Sequence, residues 1–237
     1  MTPVRRYGLL GSLLLAACGH ASPPPPAAGP ATEARSEASE PLEAASGAVF
    51  VGCGFLWIEN HGATHFTVLL RAEHGRQIKK NGTKFLLDDV VVEATSTTAR
   101  EIGAPELRGA ALLRKHMEWE AEYLSRSPPW LGLRPQPTPV GVDVPFPTLP
   151  WLARPTGDAR VLGQKITAVV YVTAAIDDVV FVLVAPVRTL GDLEAADLAI
   201  DRSLKTLHET SEPTDLVALS IKLKESHAPW PGCEVGH

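Results

Sequence analysis

The run Lys165-Ile166-Thr167-Ala168-Val169-Val170-Tyr171-Val172-Thr173-Ala174-Ala175 and the run Val179-Val180-Phe181-Val182-Leu183-Val184-Ala185-Pro186, joined through Ile176-Asp177-Asp178, decide the fold of this chain. Both are dense in β-branched and aromatic residues, which suit a pleated, packed surface, and the two aspartates between them are turn formers. They read as a central hairpin.

Working outward, a helix is predicted from about Leu190 to Glu209. Leu193, Ala196, Ile200, Leu204 and Leu207 form its buried stripe, and Asp201 with Lys205 makes a favourable i,i+4 surface pair. After Pro213, the alternation of Val217, Leu219, Ile221 and Leu223 with Ala218, Ser220, Lys222 and Lys224 points to a last strand. The leucines and lysines, good helix formers, keep a helix open there. Upstream, Ser127 to Pro155 holds nine prolines, so residues 127–157 are expected to form a long extended loop pinned by Trp130, Phe146 and Trp151. Before it a helix is predicted from about Ala104 to Leu124, with Pro105 in its first turn. Leu113, Met117, Ala121 and Leu124 recur at spacings of three and four, and Leu112, Trp119 and Tyr123 widen the buried face.

The segment from Gly47 to Val92 alternates with period two. Val49, Val51, Cys53, Phe55 and Trp57 share one face of a first strand, and Gly52 and Gly54 permit a close approach or a bulge on the other. Asn60-His61-Gly62-Ala63 turns into a second strand, Thr64 to Arg71, and Asn81-Gly82 leads as a hairpin signal to Lys84-Leu87 and Val90-Val92. Strands in runs with helices between them predict an α+β fold, an antiparallel sheet packed against two main helices, in a single domain over residues 48–237. Leu87-Asp88-Asp89-Val90-Val91 and Ile176-Asp177-Asp178-Val179-Val180 match over too short a length to establish a duplicated ββα unit. In element order alone, the region Gly163 to Glu209 resembles the hairpin and final helix of PsbP/Mog1-like domains, from which the proline-rich loop departs.

Residues 19–47 are built of Pro, Ala, Ser and Glu with one large aliphatic, Leu42, and cannot bury enough apolar surface to offset the entropy of ordering. They read as a disordered tether spanning on the order of 30 Å. Before them, Arg5 and Arg6 precede the apolar run Tyr7 to Ala17, which is eleven residues against the ~20 of a membrane-spanning helix, and Leu15-Ala16-Ala17 stand directly before Cys18. Residues 1–18 resemble a bacterial lipoprotein signal peptide. The resemblance implies a diacylglyceryl group on Cys18, cleavage before it and acylation of the new N-terminus, so the partner of the chain is the lipid bilayer. Gly19 after the cysteine then implies the outer membrane, facing the periplasm. On that reading Cys18 is committed to lipid and Cys53 and Cys233 remain as an isolated pair where disulfides persist, so a Cys53–Cys233 bridge is expected.

Loss of residues 1–18 removes two arginines and no acid, leaving 20 basic against 27 acidic side chains, net −7. That excludes nucleic acid as a favoured partner, because its binding depends on cations neutralising phosphates. No matched catalytic, metal or cofactor set is legible. His61 and His65 have ligand spacing but flank Gly62 in a turn, and Gly62 stands where a zinc-protease pattern requires glutamate. His116 and Glu120 are spaced for one helix face, with Glu118 between them, and read as a solvated helix edge. The mature chain has no Gly-x-Ser-x-Gly elbow, and Cys53 lacks an identifiable base.

Two constellations concern binding. Arg71, Arg76, Lys79, Lys80 and Lys84 make a basic hairpin tip that suits anionic headgroups or envelope polymers, or that shields a strand edge from aggregation. Pro129-Trp130, Pro150-Trp151 and Pro229-Trp230 present indoles on rigid turns, either lining a groove or anchoring loops to the core. The expected function is a lipid-anchored binding or structural module of the cell envelope, with an envelope protein or polymer as partner. The alternative is an envelope hydrolase whose site assembles from dispersed His and Glu residues.

Overall fold

The computed structural model describes residues 45–79, 82–138 and 140–225. The central hairpin forms as β10 (Ala168–Ile176) and β11 (Val179–Val187), antiparallel with Ile176 opposite Val179 across the Asp177-Asp178 turn. Asp177 takes a left-handed φ of 49° there, a conformation aspartate tolerates. Every residue of β10 is buried, because both faces of the hairpin are covered. The six-stranded antiparallel sheet around it runs β4 (Gly75–Gln77), β5 (Lys84–Leu87), β6 (Val90–Thr98), β11, β10, β7 (Thr148–Ala153). Asp88 and Asp89, at φ 46° and 72°, close the β5–β6 hairpin in the place that Asp177-Asp178 takes in the other, so the repeated Asp-Asp-Val-Val marks a two-residue turn in both, although only Asp177 of the second pair is left-handed.

A second sheet, β1 (Gly47–Phe50), β2 (Gly54–His61), β3 (Thr64–Arg71) and β12 (His208–Glu209), faces the first. Val170, Val172, Phe181 and Leu183 meet Trp57, Phe66 and Val68 in the core between them. Helix α2 (Leu190–Leu204) fills the same layer through Ala196, Ile200 and Leu204. Helix α1 (Gly109–Leu124) covers the opposite face of the six-stranded sheet, against β7, β10 and β11. A small hairpin, β8 (Arg160–Val161) and β9 (Gln164–Lys165), completes the strands, and the fold is α+β in one domain.

Several expectations change. Residues 49–57 are not one strand: the chain reverses at Val51-Gly52-Cys53, placing Phe50 opposite Phe55. Gly54, at φ 139°, makes the close approach, since a Cβ there would lie 2.1 Å from the Leu70 carbonyl oxygen. The first helix begins at Gly109, after Arg108 in extended conformation, so Pro105 lies outside its first turn. The second ends at Leu204, and His208–Glu209 pair instead with β3. The proline-rich segment contains β7, where Pro150 is tolerated because the strand lies at the sheet edge and is flanked on its outer side by only the Gln136–Leu152 bridge.

Residues 216–225 are a helix, α3 (Leu216–Glu225), and not a strand. The outer face of the second sheet presents Leu56, Ile58 and Leu69, and the stripe Leu216, Leu219, Leu223 covers it. Val217 and Ile221, the other half of the apparent alternation, point to solvent. Asp215 starts this helix by accepting from the Val217 and Ala218 amides at 2.8 and 3.0 Å.

Candidate functional site

Cross-strand register places one row of side chains across the six-stranded sheet: Trp151 opposite Tyr171, Tyr171 opposite Val184, Val184 opposite Glu93 and Glu93 opposite Lys84. Directly opposed residues share a face, and this face is the one that α1 covers. Against the row α1 buries His116 and Glu120, one helical turn apart. Glu93 and His116 are 2% exposed, Glu120 4% and Tyr171 1%. The rings of Trp151 and Tyr171 stack at 4.0 Å between centroids.

This polar belt is incompletely paired. Glu93 Oε2, His116 Nδ1, Glu120 Oε1, Trp130 Nε1 and Trp151 Nε1 have no hydrogen-bond partner among the described residues. Glu93 receives a hydrogen bond from Thr83 Oγ1 at 3.2 Å and lies 4.0 Å from Lys84 Nζ. Glu59 is a useful contrast. Also buried, it accepts from Ser46 Oγ at 3.0 Å, Trp57 Nε1 at 3.2 Å and Ser96 Oγ at 2.6 Å, and so joins the two sheets as a satisfied carboxylate.

Burial, with the Glu93 charge adding to it, pushes the Glu120 carboxyl up to about 8. Burial also raises Glu93, against the opposing effects of Lys84 and Thr83, and lowers His116 to about 4. Tyr171 is raised well above its usual value by burial and by the two glutamates. At neutral pH the belt therefore holds a protonated Glu120 beside an uncharged His116, a proton donor and a proton acceptor. Carried by α1 and buried against the sheet, the pair acts on the stability of the fold. His116 and Glu120 are thus core residues and not a solvated helix edge. Glu93 and Tyr171 were not among the sequence candidates, although a glutamate inside Val90-Val91-Val92-Glu93-Ala94 was a visible signal.

An open concavity among the described residues lies elsewhere. A cleft of about 230 Å³ sits where α2 begins beside the ends of β7, β10 and β11. Leu152, Ala168, Val187 and Leu193 form its apolar floor, and Arg154, Arg188 and Leu190 stand at its rim.

The remaining predicted site residues are dispersed. Trp130 and Trp151 are buried on the α1 side and line no surface groove, because both anchor the proline-rich segment to the core. Lys84 is half-buried across from Glu93, and Lys79 is exposed beyond β4, the edge strand that such charges protect. His61 and His65 lie on paired strands with Asn60 opposite His65, so the two histidines face opposite sides of the sheet. Cys53 packs against the α3 layer and is disulfide-bonded, not a free thiol. Cys18, Lys80, Trp230 and Cys233 lie outside the described residues. No helix among the described residues is long and apolar enough to cross a membrane. No protein-family model matches the chain, nor does any curated protein or solved structure.

Proposed function

We propose that this chain is a lipid-anchored protein of the cell envelope whose domain binds a partner through its surface. The observation that carries the reading is a contrast between two places among the described residues. The His116–Glu120 belt lies under α1, at 2% and 4% exposure, whereas the cleft beside α2 is open to solvent. The order Arg5-Arg6, apolar run, Leu15-Ala16-Ala17-Cys18 supports export and acylation at Cys18, with the outer membrane favoured by Gly19. Two or more acyl chains would hold the protein at the bilayer stably. Ala45 to Gly47 belong to the folded domain, since Asn60 Nδ2 donates to the Ala45 carbonyl and Gly47 pairs with Ile58, so the tether expected over residues 19–47 stops short of Ala45 and would leave the domain free to reach envelope proteins or polymers.

In this reading the partner of the bonded Cys53 is Cys233, because Cys18 carries lipid. Closing nearly the whole domain in one loop would contribute up to roughly 5 kcal/mol by the chain-entropy model. The test combines mass spectrometry with recovery from the envelope. The mature N-terminus should be an acylated Cys18, Cys18→Ser should release the chain from membranes, and a digest of the unreduced protein should contain a Cys53–Cys233 peptide. In-envelope crosslinking should recover a specific adduct. An unmodified Cys18 with cleavage elsewhere would overturn the anchor, and two free thiols in the exported monomer would overturn the bridge. Failure of any adduct to form would count against the binding role.

A further inference from the structure

The two arginines at the cleft differ in what they have left to offer. Arg188 is consumed locally: its Nε donates to Asp192 Oδ2 at 2.7 Å, its second terminal nitrogen to Asp192 Oδ1 at 3.2 Å and its first to Gln164 Oε1. Those hydrogen bonds hold the Asp192 carboxyl at about 2, so the Arg188–Asp192 pair stays neutral as a unit. Arg154 uses only Nε, donating to Gln136 Oε1 at 2.9 Å, and among the described residues it has no carboxylate partner. The cleft therefore carries one net positive charge, on the planar two-nitrogen end that binds a carboxylate in bidentate fashion.

Below that charge the floor is aliphatic, formed by Leu152, Ala168, Val187 and Leu193, and at the mouth Leu190 is 79% exposed. The volume of about 230 Å³ is under the ~300–1,000 Å³ of pockets for drug-sized ligands, which suits a single small group. We infer that this cleft binds an aliphatic carboxylate, with Arg154 holding the carboxylate and the leucine floor taking the chain. This rests on the binding-module reading and names the chemistry its surface would recognise. Phosphate and sulfate would meet the same guanidinium, but the aliphatic floor offers them nothing.

Two sources present this chemistry, a free short-chain acid and the C-terminal residue of a peptide, and the test separates them. The full mature chain in detergent is titrated with 4-methylpentanoate, with N-acetyl-leucine and with uncharged 4-methylpentanamide, while the methyl resonances of Leu152, Leu190 and Leu193 are followed by NMR. At least one acid is expected to bind saturably, with Kd on the order of 1 mM. Binding should weaken roughly tenfold or more for the amide and for Arg154→Gln, since each removes the charge-assisted pair. Arg154 is exposed, so this substitution leaves the core intact. Leu190→Asp, which puts a carboxylate at the mouth, should weaken acid binding as well. Preference for N-acetyl-leucine assigns a peptide end, and preference for 4-methylpentanoate a free acid. No saturable binding by either acid, or binding equal for the amide or unchanged in Arg154→Gln, overturns the site. A crosslinked envelope partner alongside such a result would leave the binding module standing and sink only the cleft.

Discussion

Replacing Glu120 by Gln should stabilise the protein at neutral pH, because the wild-type side chain must keep a proton that the unfolded chain gives up. The unfolded carboxyl titrates at its ordinary value of 4.5, and the folded one at about 8. A raised folded value in an acid means that unfolding releases a proton between those limits, so stability falls as pH rises from 4.5 to 8 and the penalty is complete above 8. At 1.36 kcal/mol per unit the penalty reaches about 3 kcal/mol at pH 7 and about 5 above pH 8. His116 acts in the opposite sense. Its folded value of about 4 lies below the ordinary 6.5, so its contribution is complete above pH 6.5 and is lost as pH falls toward 4. Between pH 4.5 and 6.5 the two slopes oppose, since unfolding frees the proton of Glu120 and takes one up at His116. Wild-type stability should therefore be nearly level across that window and then fall by about 2 kcal/mol from pH 6.5 to 8. The raised Glu93 lowers stability with rising pH in the same direction, beginning above its ordinary value of 4.5, so it tilts the level window slightly downward. In Glu120→Gln only the histidine slope and that of Glu93 remain. Urea unfolding followed by tryptophan fluorescence measures this, and with a slope of about 2 kcal/mol/M the midpoint at pH 7 should rise by roughly 1.5 M. A variant no more stable than wild type at pH 7, or one whose profile runs parallel to it from pH 4.5 to 8, would refute the reasoning.

Two further substitutions test the frame that holds the belt and the cleft. Gly54→Ala sets a Cβ 2.1 Å from the Leu70 carbonyl oxygen at a φ of 139°, so it should cost more than about 2 kcal/mol, read as a lowered thermal midpoint, and an unchanged midpoint would refute the close approach. Glu59→Ala strands the donors of Trp57 and Ser96, while Ser46 Oγ keeps the Asn60 carbonyl at 3.1 Å, and should cost about 2–4 kcal/mol in urea unfolding, whereas Glu120→Gln gains stability. Equal signs for the two would erase the distinction between a satisfied and an unsatisfied buried acid.

How far the fold could be read depended on which interactions were local. The β10–β11 hairpin was legible because its apolar density and its Asp-Asp turn lie within one stretch, and the same turn chemistry at Asp88-Asp89 closes β5 against β6. The errors fall where a distant partner decided the matter. Val49 to Trp57 alternates as a strand should, yet the chain reverses at Val51-Gly52-Cys53 so that β1 pairs with β2, and Gly54 lies where a Cβ would meet the distant Leu70 carbonyl. Residues 216–224 alternate too, but the uncovered Leu56, Ile58 and Leu69 needed a helical stripe, and Leu216, Leu219 and Leu223 supply one. Period two and period 3.6 both pass through Leu219 and Leu223, so the local pattern could not separate them.

The same limit explains the polar belt. His116 and Glu120 were visible as a helix pair, but whether a helix edge is wet or dry is set by what it lies on, and that is a sheet row assembled from β5, β6, β7, β10 and β11. Glu93 and Tyr171 are 78 residues apart in the chain and meet only through Val184 of the intervening strand. A core that leaves two carboxyls and an imidazole incompletely paired gives up stability that apolar residues of like volume would retain. Its present cost is a proton held on Glu120 and one withheld from His116, so the domain is most stable at mildly acid pH, and α1 is the element that bears the strain when Glu120 ionises. The cleft beside α2 is built from the other face of the same sheet and shares none of these groups. Titration of the belt should therefore change how firmly the domain holds together without changing the charge that Arg154 presents at the cleft.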